Sequence, residues 1–518
     1  MPSSAALADV SSEAEVRAAR GHTLRIHMDA DPGRLNPLVS PSTWSRRITN
    51  GTVFESLLQF VPPEGTAPAR YAPRLAKAWK VMPSQTEIRL YLEQGATFHD
   101  GKQLTSVDVQ FTLDAIRDPR RGIDHLRAML DDVFAVELIT TWEVRLVLKR
   151  PSAYVLRALA EIPIMPMHVY DGSFVAGGAL VGSGPWKYVS NKNGVVHLAR
   201  NPRYWGDKPA IADLEFVYQP DAAIALKDAK RGDLDIIPAL IPAHWPEQAS
   251  APGIAVAFRA LELAPPKWRY LAFNAQQTPL DDARVRHALA LLVDRRNIAK
   301  RVFDGLSRPV LWPIWPGGFV NGPEATVPDF DPAGAAKLLD AAGWADTDKD
   351  GIRDRGGKQL RLVMLGTEKP APRDASAPAP KIARDFFIEA ARRIGVVIDL
   401  HTGGESWLEK KIGEGAYAIV ERSWSGMVDM DIGPLLGAKD PQRAQSPRVD
   451  RALDVLAAAW DPGERSSAAP ELAAALAESW PIAGLVAEAP KGLIHKRVQG
   501  VRVWDGWLDL RALSFGPE

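Results

Sequence analysis

The chain has 518 residues, 46% apolar and 24% charged, with 63 basic residues balancing 63 acidic ones; this globular composition is too long for one hydrophobic core, and its neutral balance sets up no field that would draw it to nucleic acid or an anionic membrane. The absence of cysteine excludes disulfides, thiolate zinc sites and cysteine nucleophiles and leaves the redox compartment open. No run reaches the roughly 18 apolar residues of a membrane span, and the first twenty residues have neither the basic nor the apolar region of a secretory signal.

"HTLRIHM", His22 to Met28, reads as a strand, and "LNPLVSPSTWSRR" leads through proline and serine into a helical run. "TEIRLYLEQGATF" alternates as a half-buried strand does, and Gly101 ends the turn "HDGK". In "LTSVDVQFTLDAI", Thr105 and Asp108 form a capping box ahead of Val109, Leu113 and Ile116 at helical spacing. "WEVRLVLKRP" is a strand ending at proline, and "GSGPWKYV" is a Gly-rich turn opening into another. "NPRYWGDKPAIADLEFVY" gives an aromatic loop and a strand, and "AIALKDAKRGDLDII" a helix closed by Gly232.

"RYLAFNA" is strand-like, and "DDARVRHALALLVDRRNIAKRVF" reads as two tandem helices. Asp281 or Asp282 caps the first and Asp294 the second, which stops at Asp304 and Gly305. "KLLDAAGW" is a short helix, "QLRLVML" a strand, and "IARDFFIEAARRIG" a helix feeding the strand "VVIDL". Between them "GTEKPAPRDASAPAP" is an exposed Pro/Ala-rich loop, expected to be disordered or cleavable. "WLEKKIG" and "YAIVERSW" add a helix and a strand, Leu472 to Trp480 is helical, and "GLIHKRVQGVRVW" is strand-like. Strands and helices mix without a strict βαβ repeat, which predicts several α/β or α+β units.

The chain contains no HExxH, GxSxG or GxxxxGK[ST] motif, and no GxGxxG opens a helix after a strand. The nearest metal-like segment is "DTDKDGIRD", which offers Asp346, Asp348, Asp350 and Asp354 around Gly351 in the manner of a calcium loop. Gly357 stands where an EF-hand needs its bidentate glutamate. The plainer expectation is an Asp-rich turn bonded to its own backbone, with no cofactor. Sixteen tryptophans are present, and Trp44, Trp205, Trp312, Trp315, Trp344 and Trp424 fall in or beside predicted loops. Most would fill cores and domain seams, and a minority facing a cleft would suit an organic ligand.

The ordered blocks "FHDGKQLTSVDVQFTL", "GSGPWKYV", "RNPRYWGDKP", "RGDLDI", "LAFNAQQTPLDDARVRHALALLVDR" and "LLDAAGW" resemble the extracytoplasmic solute-binding proteins of family 5, the dipeptide and oligopeptide receptors of ABC importers. The resemblance covers the chain from about Leu24 to its end. It implies an α/β periplasmic-binding-protein-like fold of two lobes joined by a two-strand hinge, closing on a ligand that a membrane permease then accepts. Residues 24–54 and 171–273 would form lobe one with a subdomain inserted at 55–170; residues 274–489 would form lobe two, and 490–518 would return to lobe one. Residues 1–23 would be a disordered leader or tail. The resemblance further implies a periplasmic monomer whose export signal is removed or not included, with a peptide or similar oligomeric solute and an ABC permease as partners.

In peptide-binding relatives a lobe-two strand ends in a tryptophan followed, three positions later, by an aspartate that anchors the ligand's ammonium. In "SWSGMVDMD", Ser423 to Asp431, Trp424 matches the tryptophan, but the third position after it is Met427. Either Asp429 takes the role or the receptor does not hold a free α-amino group, because a buried ammonium needs a carboxylate. "SPSTW" on the facing lobe matches a ligand-touching region. The implied binding residues are Ser42, Thr43 and Trp44, with Ser423, Trp424, Ser425, Met427, Asp429 and Asp431. An oligosaccharide or other non-peptide receptor of the same fold is the first alternative. A soluble enzyme using the cleft through Asp429 and Asp431 is the second; no catalytic residue is assigned.

Overall fold

The computed structural model describes residues 22–516 apart from 41, 62–68, 171–179, 264–266, 304, 317, 319, 368–378, 426–429, 437–441, 490 and 505. Residues 1–21 of the predicted N-terminal tail, most of the Pro/Ala-rich loop, and Met427 and Asp429 of the candidate site lie outside the described residues, while Thr23, expected in the tail, begins a strand. The chain forms two compact units, the first of 1–240, 246–263 and 491–518, the second of 241–245 and 264–490.

In the first unit a seven-stranded sheet has the order Phe258–Glu262, Lys491–His495, Ile236–Ile237, Thr23–Met28, Asp213–Tyr218, Val195–Arg200 and Trp186–Lys192. Its parallel centre, with Thr23 opposite Asp213 and Met28 opposite Tyr218, buries Leu24, Ile26 and Met28 completely. A separate antiparallel sheet joins Ala76–Val81, Glu87–Leu92, Glu143–Leu148 and Val133–Thr140. Its two central strands bury every second residue, which is why their alternation was readable. Against it packs the helix Ser106–Arg117, where the Asp108 carboxylate accepts the Thr105 backbone N–H at 2.9 Å, as a capping box requires.

The second unit holds a six-stranded sheet of order Ser307–Pro309, Ile482–Glu488, Lys267–Phe273, Ile419–Trp424, Arg361–Thr367 and Val397–Gly403. Lys267–Phe273 is hydrogen-bonded between Ile419–Trp424 and Ile482–Glu488. It therefore belongs to the second unit and not to lobe one, where the expected boundary after residue 273 had placed it. Ile482–Glu488 is buried at six consecutive positions, the pattern of a strand covered on both faces. The tandem helices are Ala283–Leu291 and Arg295–Arg301, capped by Asp282 and Asp294. Asp281 is not a cap; its carboxylate takes the Thr278 hydroxyl at 3.4 Å.

Candidate functional site

Four of the six loop-associated tryptophans, Trp44, Trp312, Trp315 and Trp344, are buried at 5% exposure or less. Trp205 is partly exposed, but its indole N–H is committed to the buried Glu55 carboxylate at 2.9 Å. Of these six, Trp424 alone combines partial exposure with an indole N–H that has no acceptor among the described residues. Trp460 and Trp507, outside that set of six, show the same combination.

Trp424 ends the strand Ile419–Trp424 directly opposite Trp268. Side chains alternate along a strand and cross-strand partners share a face, so Trp424 and Arg422 lie on one side with Trp268 and Tyr270. The Trp268 ring stacks on Tyr270 at 4.6 Å with 15° between planes, and Arg422 pairs with Glu409 at 2.8 Å. Burial raises the Tyr270 phenol above its usual range, opposed by Arg443 and Arg422. Ser423 falls on the opposite face with Glu421, so the strand does not aim Ser423 and Trp424 the same way. Ser423 and Ser425 are both exposed.

Beneath Ser423 the sheet carries two buried ion pairs. Glu421 meets Arg384 at 2.9 Å with both side chains 5% exposed, and Arg269 pairs with Glu488. Burial raises the Glu421 carboxyl above its ordinary value, while Arg384 and Arg269 pull it down. One Glu421 oxygen has no hydrogen-bond donor among the described residues. Neither Glu421 nor Trp268 was singled out from sequence; a strand reading begun one residue earlier would have included Trp268.

The remaining candidates have local duties. Ser42 caps the helix Thr43–Thr49 by accepting from the Ser45 N–H at 3.4 Å. Thr43 is exposed. Trp44 is buried and donates its indole N–H to Asp29 at 2.6 Å, so its ring is a packing element with a fixed orientation. Asp431 accepts the Gly433 N–H at 2.7 Å, an Asx-type turn that engages one carboxylate oxygen locally.

The calcium-like loop behaves in the same manner. Asp346, Asp348 and Asp354 bring one oxygen each within 4.8 Å of one another, without Asp350. Asp346 accepts the Gly351 N–H at 3.1 Å, Asp348 the Asp350 N–H at 3.2 Å, and Asp350 the Ile352 N–H at 2.8 Å. Asp354 takes both the backbone N–H and the hydroxyl of Thr347, which hold its carboxyl below the usual range. Four carboxylates thus brace a turn, and the structure does not support the set of four as a calcium site.

Among the described residues, no helix is long and apolar enough to cross a membrane. Residues 70–444 match the family model described as bacterial extracellular solute-binding proteins, family 5 Middle. The di/tripeptide-binding protein 2 of Pseudomonas aeruginosa is 28% identical over 440 residues, covering 79% of this chain and 77% of its own length. HbpA2 from Haemophilus parasuis superposes with a TM-score of 0.81 at 20% identity, covering 96% of this chain and all of that one. NikZ from Campylobacter jejuni, solved in complex with Ni(L-His), gives 0.71 at 21% identity, covering 95% and 99%. The two-lobed α/β fold is shared across these proteins, and over nearly three-quarters of its length the chain belongs to the bacterial extracellular solute-binding proteins of family 5.

Proposed function

We propose that this protein is the extracytoplasmic solute receptor of an ABC importer, binding a peptide or similar oligomeric solute and delivering it to a membrane permease. The observation that carries this reading is the likeness to a di/tripeptide-binding relative over 79% of the chain. The half-buried Trp424, whose indole N–H has no acceptor among the described residues, supports it chemically. An aromatic face supplies contact area and neighbouring polar groups fix orientation. Ser42, Thr43, Trp44, Met427, Asp429 and Asp431 are the further solute contacts proposed from the resemblance. The named relative is a binding protein, and no bond-breaking step is assigned.

A non-peptide solute, such as an oligosaccharide, is the second reading. It is favoured by Met427, a neutral side chain three residues after Trp424, where an ammonium ligand would need a carboxylate. Native mass spectrometry of the purified protein, with release and fragmentation of any bound small molecule, separates the two. A released peptide supports the first reading and predicts that Asp429→Asn weakens binding; a solute without a primary amine refutes it.

A further inference from the structure

Arg47 is half-buried and occupies an unusual position for an arginine. Trp44 and Arg47 are three residues apart on the helix Thr43–Thr49 and share a face. The Arg47 guanidinium carbon lies 5.0 Å from the Trp44 ring centroid and 4.4 Å from that of Trp507. The two indoles meet edge to face at 5.5 Å and 88°. Trp44 cannot turn, because its N–H is tied to Asp29. Arginines more deeply buried than Arg47 have acceptors: Arg74 and Arg384 meet carboxylates, while Arg286, Arg295 and Arg465 meet backbone carbonyls. Arg47 has neither a hydrogen bond nor an ion pair among the described residues.

The cluster is rich in donors and short of acceptors. The Trp507 indole N–H is buried and also lacks an acceptor among the described residues. The Asp29 carboxylate acts on Arg47 through its charge, and Arg46 adds positive charge. Burial pushes the Arg47 guanidinium down to about 10, with Asp29 opposing the shift, so it stays cationic at neutral pH. A guanidinium held against aromatic faces keeps its in-plane N–H edge free, the edge that pairs bidentately with a carboxylate. Reduced solvation strengthens such a bond and makes an unpaired cation costly.

We propose that Arg47, clamped by Trp44 and Trp507, is an anion-recognition residue that pairs with a carboxylate of the bound solute. The inference rests on the reading of the chain as a solute receptor and adds that its solute is an organic acid, whether a peptide through its C-terminus or a sugar acid. Isothermal titration of the full chain with two matched pairs tests it: trialanine against trialanine amide, and glucuronate against glucose. In the wild type the acid of at least one pair binds more tightly than its neutral partner. Arg47→Met, which keeps an apolar stem between the rings, weakens acid binding by about 10- to 100-fold, as expected for a hydrogen bond to a charged group, and leaves neutral binding unchanged. Arg47→Lys restores part of the acid preference, and decides the matter if Arg47→Met alters the melting transition.

An Arg47-dependent preference in the sugar pair alone refutes the peptide reading while upholding this one. Equal binding of trialanine and its amide, with no acid preference in the sugar pair, upholds the peptide reading and overturns this one. It is overturned as well if Arg47→Met and Arg47→Lys leave the acid preference intact, or if the wild type shows no acid preference in either pair.

Discussion

Glu55→Gln tests whether the buried carboxylate of Glu55 organises its surroundings. One oxygen accepts from Arg74 Nε at 3.1 Å, Arg74 Nη2 at 3.0 Å and the Tyr204 hydroxyl at 2.6 Å. The other accepts from Ser183 at 3.2 Å and Trp205 Nε1 at 2.9 Å. The pair is shielded, with side-chain exposures of 4% for Arg74 and 0% for Glu55. An amide nitrogen replacing the second oxygen is the milder arrangement, since the Ser183 hydroxyl can rotate to accept. The Trp205 N–H cannot, and an orphaned buried donor costs about 1–3 kcal/mol. Arg74 also loses its compensating charge, for a total of about 3–5 kcal/mol. Urea unfolding followed by hydrogen exchange in first-unit peptides measures this loss. Glu55→Gln/Arg74→Met recovers part of it, because the stranded guanidinium is gone. A Glu55→Gln protein within about 1 kcal/mol of wild type, the scale of an exposed ion pair, would refute the reasoning.

Three further outcomes are expected. Gly184→Ala places a Cβ on the Thr52 carbonyl and Val53 backbone, which cannot move aside, and lowers stability by about 1–3 kcal/mol or more; Gly253→Ala, which meets nothing, is the near-neutral control in the same urea assay. Burial lowers the His99 imidazole below 6.5, opposed by its bond to the Gly184 carbonyl. The unfolded chain therefore takes up this proton first, and the His99 contribution is complete above pH 6.5 and lost as pH falls below it toward the folded value; urea midpoints of wild type and His99→Gln across that range check this, and equal slopes contradict it. Added calcium leaves the melting temperature unchanged, since the carboxylates of the Asp346–Asp354 loop already accept local donors; a rise that Asp348→Asn abolishes would overturn that account.

Local signals in the sequence determined much of the secondary structure. The caps at Asp282 and Asp294, the half-buried strands Glu87–Leu92 and Glu143–Leu148, and the helix starting at Ser106 follow from residues within a few positions of one another. Elements without such contrast escaped. Ile482–Glu488 has no polar face to reveal its period, and the first turns of Pro462–Ser479 are hidden by serines and the internal Pro470. Pro447–Ala458 is different, since its Ser446 cap, its opening Pro447 and Val449, Ala452, Leu453 and Leu456 at helical spacing are local signals that the sequence reading leaves unused. At the candidate site, sequence placed Trp424 at a strand end but could not say that Trp44 is buried while Trp424 is partly open. Arg47 and Trp507 are 460 positions apart, and Glu55 draws donors from Arg74, Ser183, Tyr204 and Trp205. Helix caps and strand periodicity need only contiguous chain. Burial and partnership of a charge depend on which distant segments return to it, and that was decided by the tertiary structure alone.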